Sequence, residues 1–176
     1  GVIVSGAEVL WRGGVVADND MWGVVGFEGT VDVADLVVSN NGLFGLYGQQ
    51  SNLYIADTVF ENGRQASVSV QEGVATIDDC SFQHGTFARS EDGYDDNGNP
   101  TIDVYHYEGL DVVATDSSLD VRNTTFSDGD EAIYAFQTQT TVSDVSITDY
   151  SRRGIRFVGD ANSSASLERV TISGTG

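Results

Sequence analysis

The sequence predicts an all-β solenoid of about six to seven coils with a period of about 22 residues. The first observation is a six-residue pattern that occurs three times, at 33–38, 55–60 and 77–82, so that each copy begins 22 residues after the previous one. The second is that each copy is followed by a pair of residues that tolerates left-handed backbone, namely Asn41-Gly42, Asn62-Gly63 and His84-Gly85. A fixed period of this length is typical of stacked repeats, in which no single unit buries a face alone.

Aligning the repeats produces three columns of equivalent residues, two apolar and one polar. The apolar columns predict a continuous core and consist of Val33, Ile55, Ile77, Val121, Val142 and Leu167, and of Val38, Phe60, Phe82, Phe126, Ile147 and Ile172. The polar column consists of Asp35, Asp57, Asp79, Asn123, Asp144 and Arg169. Successive strands lie about 4.8 Å apart, so we expect a ladder of carboxylates that is exposed, screened by salt or bridged by cations.

The period fails once, between Phe82 and Phe126, which are 44 residues apart. This interval is either an extra coil or one coil that carries an insertion. We favour a long loop insertion at residues 90–108, because 90–100 is polar, rich in turn residues and contains the only proline. Residues 102–107 alternate and suit a hairpin arm or a strand. We therefore predict one β-helix domain over residues 1–176.

The charge of the chain excludes some classes of partner. The 176 residues include 27 acidic residues and eight basic ones, all of them arginine, for a net charge of -19. We expect no nucleic-acid binding and no membrane insertion, because phosphate attracts basic surfaces and no apolar run approaches the length of a membrane span. Calcium binding, a high-salt habitat and solubility of a surface protein remain as explanations of the charge. The single cysteine, Cys80, is expected to be a packed thiol.

The pattern of apolar columns, a polar ladder and Asn-Gly turns resembles the right-handed parallel β-helix repeat of the pectin-lyase-like superfamily. The resemblance covers nearly the whole chain outside the insertion, although this chain uses mostly Asp where that family favours Asn. The superfamily contains pectate lyases, polygalacturonases, alginate epimerases, phage tailspikes and non-catalytic surface proteins. The resemblance therefore implies a fold and leaves the function open.

No catalytic motif of these enzymes is complete in the chain. Residues 92–95, Asp-Gly-Tyr-Asp, are similar to the epimerase motif Tyr-Gly-Phe-Asp-Pro-His but lack its proline and histidine. His84 occupies a turn position, and no spacing links Arg89, Arg122 and Arg156 into a lyase-type site. The catalytic residues, if the chain is an enzyme, are therefore unknown at this point.

Two groups of residues are candidate binding sites. Calcium prefers several oxygen ligands in a turn-rich loop, and the insertion supplies Asp95, Asn97, Asn99 and Asp103. A separate column on the strand after each Asn-Gly turn is expected to point outward and to stack against sugar rings, and its members are Tyr47, Tyr134 and Arg156.

Together these features predict a non-catalytic β-solenoid module of a secreted or cell-surface protein, acting as a spacer, an adhesive or a glycan-contacting module. The alternative is a calcium-assisted enzyme that acts on polyuronates, of the lyase or epimerase type, or a fragment of one. The expected partners are polysaccharides or cell-surface glycans, and the only cofactor considered is Ca²⁺. We also expect the chain to be part of a longer solenoid or to associate end to end through uncapped coils.

Overall fold

The computed structural model is a parallel β-solenoid of about seven turns, and it describes residues 1–83 and 109–174. All regular elements in these two ranges are β-strands. The strands are β1 Val2–Ser5, β2 Glu8–Ala17, β3 Trp22–Phe27, β4 Thr30–Ser39, β5 Phe44–Gln49, β6 Asn52–Ala56, β7 Val59–Glu61, β8 Ala66–Gln71, β9 Val74–Asp78, β10 Ser81–Gln83, β11 Leu110–Thr115, β12 Ser118–Arg122, β13 Thr125–Ser127, β14 Glu131–Phe136, β15 Gln139–Thr148, β16 Arg153–Val158 and β17 Ser164–Ser173.

The strands form two sheets that run the length of the solenoid. Sheet A has seven strands in the order β1-β3-β5-β8-β11-β14-β16, so each coil contributes one strand. Sheet B has ten strands and is bent, because in several coils its run is divided into two strands such as β6 and β7. Neighbouring strands of both sheets are parallel. The predicted all-β solenoid with a period of about 22 residues is confirmed.

Three columns of left-handed residues form the corners at which the chain turns. The predicted polar column is one of them. Its six residues have φ between 48° and 58°, and they are Asp35, Asp57, Asp79, Asn123, Asp144 and Arg169. The second corner contains Glu28, Gln50, Glu72, Asp116 and Gln137, and the third contains Asp18, Asn40, Asn62, Asp128 and Asp149. Asp and Asn tolerate this backbone because their short polar side chains bond locally, which explains why they predominate in the first and third columns.

The turn predicted at Asn41-Gly42 is displaced by one residue. The left-handed residue is Asn40, with φ 53°, and Asn41 is buried instead. The Nδ2 of Asn41 donates a hydrogen bond to the carbonyl of Val16 at 3.0 Å, and its Oδ1 accepts one from the Nδ2 of Asn19 at 2.7 Å. Asn41 therefore satisfies backbone and side-chain groups of the preceding coil, a role that repeat spacing alone does not distinguish from a turn.

The polar column is exposed at every coil, as expected for a row of carboxylates. Towards its C-terminal end a cation relieves the repulsion, because Arg169 contacts Asp144 through Nε to Oδ1 at 2.5 Å and through Nη2 to Oδ2 at 2.7 Å. The hydrogen bond with the guanidinium of Arg169 lowers the pKa of Asp144. Asn123 donates from Nδ2 to Oδ1 of Asp78 at 2.8 Å.

The two predicted apolar columns form the core. The register pairs Val33, Ile55 and Ile77 on successive coils, and all three are at most 2% exposed. In the other column Phe82 stacks between Phe60 and Phe126, with ring centroids 4.5 and 4.7 Å apart. The rungs of the solenoid thus place like side chains on like side chains, which fills the interior without changing the backbone from coil to coil.

Two buried polar side chains, Asp111 and Tyr150, are paired with each other. Asp111 is fully buried and accepts hydrogen bonds from Ser67 Oγ at 3.3 Å and from the hydroxyl of Tyr150. Burial and the carboxylate of Asp111 raise the pKa of Tyr150, which therefore stays a donor. The thiol of Cys80 is also buried, and burial raises its pKa to about 12, which agrees with the packed thiol predicted for it.

The interval between Phe82 and Phe126 is one coil with an insertion. Phe82 pairs directly with Phe126, so the two phenylalanines lie on adjacent rungs. Twenty-six residues separate Gln83 from Leu110, whereas four separate Glu61 from Ala66 at the same place in an earlier coil. The insertion interpretation is confirmed, and the predicted loop residues 90–108 lie outside the described residues.

The last described strand, β17, is an edge of sheet B. Leu167 and Ile172 belong to the inward columns, yet they are 53% and 45% exposed. Exposed apolar groups and unpaired backbone at a sheet edge favour further pairing. The end-to-end association expected from the sequence stays a prediction.

Candidate functional site

The predicted glycan-contacting column lies on sheet A, where Tyr47, Tyr134 and Arg156 occupy one register position. The register passes from Tyr47 through Ser69 and Val113 to Tyr134, and then to Arg156 on the next strand. Three rungs therefore separate the two tyrosines, or about 14 Å. The three residues share a column, but only Tyr134 and Arg156 are neighbours.

The aromatic rings of this column are largely covered. Tyr134 is 8% exposed, and the guanidinium carbon of Arg156 lies 4.9 Å from its ring centroid. Tyr47 is partly buried and stacks on Phe44, with ring centroids 5.3 Å apart. A sugar ring needs an open aromatic face to stack upon, and here Phe44 and Arg156 occupy the ring faces.

A charged cluster lies next to Tyr134 on the same sheet. Glu131 is 2% exposed, its Oε1 accepts no hydrogen bond among the described residues, and Arg153 Nη1 lies 3.8 Å from that oxygen. Burial raises the pKa of Glu131 more than the nearby arginines lower it. Arg152 pairs with Asp130, with Nη2 3.3 Å from Oδ2. These contacts engage two of the arginines with carboxylates of the chain itself.

The predicted calcium ligands cannot be placed on the fold. Asp95, Asn97, Asn99 and Asp103 all lie outside the described residues, so the calcium site stays a prediction. Within residues 1–83 and 109–174, no three His, Cys, Asp or Glu side chains converge in a way suited to a metal ion.

A second candidate site, which we call the corner groove, lies where sheet A turns into sheet B. It is an open cavity of about 680 Å³ that crosses five successive coils. One side is the second corner column, and the other is the first residue of each following strand of sheet B. The lining includes Gln50, Glu72, Asp116 and Gln137 from the corner and Asn52, Val74, Ser118 and Gln139 from the strands.

The local fold gives the corner groove its shape. The corner residues have φ between 49° and 53°, which turns the chain sharply and directs their side chains to solvent. The hydroxyl one residue later secures the turn from inside: Ser51 Oγ donates to the carbonyl of Gln49 at 2.9 Å, and Ser117 Oγ donates to that of Thr115 at 2.6 Å. The same left-handed position recurs on four successive coils, at Gln50, Glu72, Asp116 and Gln137, so the groove runs along the solenoid axis.

The turn between β16 and β17 closes the C-terminal end of the corner groove. Asp160 Oδ1 accepts hydrogen bonds from the backbone N–H of Asn162 at 2.9 Å and from Ser163 Oγ at 3.0 Å. These bonds lower the pKa of Asp160, so its carboxyl group is ionised at neutral pH. Asp160, Asn162 and Ser163 thus form an ordered polar wall.

An exposed aromatic residue, Tyr54, lies beside the corner groove. It is 43% exposed and stands on β6 two residues after Asn52 of the groove. Alternate residues of a strand share a face, so the two side chains project from the same surface about 6.6 Å apart. Tyr54 therefore offers an aromatic face next to a polar groove.

The corner groove is not predicted by the sequence pattern. The signal was present as a second column 22 residues apart, Glu28, Gln50 and Glu72, but its residues are long polar side chains without the Asn-Gly or Asp-Gly pairs that indicate a turn. Only the three-dimensional turn brings that column against the start of sheet B. Tyr54 was missed for a related reason, because its column partners Asp32 and Thr76 are not aromatic.

Comparison with known proteins adds no identification. No family model matches the chain, and no match was found among curated proteins or solved structures. In the described part of the chain, no helix has the length and apolar character required to cross a membrane.

Proposed function

We propose that this chain is a non-catalytic β-solenoid module of a secreted or cell-surface protein that binds glycans in the corner groove. The observation that carries the proposal is the groove itself, an open polar cavity of about 680 Å³ with Tyr54 at its side. Its size falls in the range of ligand sites in proteins, about 300–1,000 Å³.

The chemistry of the lining suits sugar hydroxyl groups. A hydroxyl group both donates and accepts hydrogen bonds, and side-chain amides offer the complementary pair on one planar group. Gln50, Asn52, Gln137, Gln139 and Asn162 all line the groove. An aromatic ring beside such groups covers the apolar face of a sugar ring, and Tyr54 provides one.

The scaffold favours binding because the groove is held in place before a ligand arrives. A left-handed residue recurs at this corner on four successive coils of the groove, two of these turns carry an internal hydroxyl contact, and parallel strands connect neighbouring coils. A preformed site loses less conformational freedom on binding, so more of the contact energy appears as affinity.

The carboxylates of the groove support binding rather than catalysis. Hydrolysis of a glycosidic bond uses a carboxylic acid with a raised pKa as proton donor. The pKa of Asp160 is lowered by its own turn, and Glu72 Oε2 accepts a hydrogen bond from Gln50 Nε2 at 2.9 Å. Both groups are thereby used in arranging the groove.

We also propose that the chain is a member of the pectin-lyase-like superfamily. The support is the parallel solenoid of about seven turns together with the apolar columns and the corner rich in Asp and Asn. A secreted or cell-surface location is part of the same proposal, since a module that binds polysaccharides or cell-surface glycans meets them outside the cell.

A glycan array tests the proposed function directly. The wild-type chain is expected to bind a subset of immobilised oligosaccharides, and Tyr54→Ala is expected to weaken that binding about tenfold, because an aromatic contact at the side of the groove is lost. Tyr54→Phe retains the ring and is expected to bind nearly as well as wild type. The matched control is Tyr47→Ala on sheet A, because Tyr47 is an aromatic residue outside the lining of the corner groove. Absence of binding to any glycan by a folded wild-type chain would contradict the proposal.

A further inference from the structure

We infer that the ligand of the corner groove is a linear, uncharged glycan that lies parallel to the solenoid axis. This inference rests on the proposed function and specifies the class of ligand. It is carried by the direction of the groove, by the balance of amides and carboxylates in its lining and by the position of Tyr54.

The direction of the groove selects a linear ligand. Gln50, Glu72, Asp116, Gln137 and Asp160 lie on five successive coils of the solenoid. Four steps between neighbouring strands of about 4.8 Å give a groove about 19 Å long. The corner presents a polar side chain at each step, so a chain of sugars that follows the axis meets hydrogen-bonding groups along its length. A single sugar would use only a fraction of them.

The charge of the lining selects against acidic glycans. Three carboxylates line the groove, on Glu72, Asp116 and Asp160, and the described lining contains no arginine. A polyuronate would bring further carboxylates to within a few ångströms of these groups, where like charges repel. An uncharged chain avoids this repulsion and can donate its hydroxyl protons to the same carboxylates.

The hydrogen bonds within the lining favour an uncharged ligand over a cationic one. Glu72 already accepts a bond from the amide of Gln50, and Asp160 accepts two bonds within its own turn. Amides outnumber carboxylates five to three along the groove. Neutral donors of the protein thus already bond to some of the carboxylate oxygens. Most of the polar side chains that line the groove and are left for a ligand are amides.

Tyr54 lies to the side of the groove, on the first of the five coils that the groove crosses. It stands about 6.6 Å along β6 from the groove residue Asn52, on the same face. A sugar in the groove can rest its apolar face on the ring while its hydroxyls contact Asn52. Charged groups on the sugar are not required for this contact.

The inference is tested with an array of oligosaccharides of two to eight sugars. Uncharged cello-, manno-, malto- and N-acetylchito-oligosaccharides are compared with galacturonate, alginate and hyaluronate series and with cationic chitosan oligomers. We expect an uncharged series to bind best, to tighten with length up to the span of the groove, and to lose less than about twofold in affinity when ionic strength is raised tenfold, since screening acts on charged pairs.

Two variants probe the lining itself. Gln139→Leu removes an exposed amide at a strand position and is expected to weaken binding of the best uncharged oligosaccharide about tenfold. The double variant Glu72→Gln with Asp116→Asn removes two of the three lining carboxylates and is expected to increase binding of hexagalacturonate relative to that of the best uncharged oligosaccharide, because like charges no longer repel there. Circular dichroism confirms that each variant is folded.

The outcomes separate this inference from the proposed function. Tighter binding of an acidic or cationic series than of every uncharged series, or equal binding of disaccharides and hexasaccharides, overturns the inference and leaves glycan binding in place. Binding that survives Gln139→Leu but is lost in Tyr47→Ala moves the site to sheet A and also overturns it. A folded chain that binds no glycan overturns both.

Discussion

Phe82 is the residue whose replacement tests the stacked core most sharply. It is 0% exposed and lies between Phe60 and Phe126, with ring planes inclined by 3° and 10°. Replacing a buried phenylalanine by alanine costs about 3–5 kcal/mol, from lost burial and from the cavity that remains. Both aromatic contacts are lost as well, so we expect Phe82→Ala to cost about 4–5 kcal/mol.

A change of this size is large for the whole molecule. Native domains are stable by about 5–15 kcal/mol, and for a chain of this length each kcal/mol shifts Tm by about 2–4 °C. Phe82→Ala is therefore expected to lower Tm by about 8–20 °C, measured by far-ultraviolet circular dichroism. Phe82→Leu keeps most of the volume and loses the ring contacts, so we expect a cost of about 2 kcal/mol.

Thr125 supplies the matched control for this experiment. It lies on the rung that follows Phe82, but its side chain is exposed. Thr125→Ala is expected to change stability by no more than about 0.5 kcal/mol. The reasoning about the core would be refuted if Phe82→Ala and Thr125→Ala shifted Tm equally.

Three further substitutions test a corner, the interior and the charged cluster of sheet A. Asp57 has φ 48°, so Asp57→Val is expected to cost about 1–2 kcal/mol in chemical denaturation, whereas Asp57→Asn is expected to be neutral. Tyr150→Phe removes a donor to buried Asp111 and is expected to cost about 1.5–3 kcal/mol, against less than about 0.5 kcal/mol for the exposed Tyr54→Phe. Burial raises the pKa of Glu131 above its ordinary value of 4.5, so the folded state binds this proton more tightly than the unfolded state and loses stability as pH rises from about 4.5 through the raised pKa. Glu131→Gln is expected to remove this part of the pH dependence, measured as Tm between about pH 4 and pH 8.

Each of these three predictions has an outcome that contradicts it. Equal stability of the valine and asparagine variants at position 57 would mean that the left-handed turn does not constrain that residue. An unchanged denaturation midpoint for Tyr150→Phe would mean that the hydrogen bond from the Tyr150 hydroxyl to Asp111 does not stabilise the fold. Parallel pH profiles of wild type and Glu131→Gln would show that this carboxyl group has the same pKa in the folded and unfolded states.

The repeated part of the fold could be predicted from the sequence because its physical causes recur at a fixed spacing. Val33, Ile55 and Ile77 are apolar at every turn because the same inward position must be filled on each coil. Asp35 and Asp57 recur because the corner needs left-handed backbone. The insertion was located by the same logic, as the one interval that exceeds the period.

The binding surface was harder to predict because it is produced by neighbouring columns rather than by one repeated residue type. Tyr47 and Tyr134 share the predicted column, yet Phe44 and Arg156 cover ring faces there, and pairwise spacing contains no information about such coverage. The corner groove arises where a turn brings Gln50 beside Asn52. Tyr54 is a candidate binding residue only because it lies next to that groove. Asn41 is a similar case, because the sequence does not distinguish an asparagine with a buried, hydrogen-bonded amide from an asparagine in a turn.

The central claim is that a glycan binds in the corner groove, and the side-chain amide signals of the groove report this most directly. In ¹⁵N-labelled protein titrated with the best oligosaccharide from the array, we predict that the NH₂ resonances of Asn52, Gln137 and Gln139 shift with a common saturation curve. The indole N–H signal of Trp11 serves as the control, because Trp11 lies on β2 in the first coil of the chain and does not line the groove. Its chemical shift is predicted to stay unchanged. Shifts confined to the backbone around Tyr47 and Tyr134, with the groove amides unchanged, would contradict the claim.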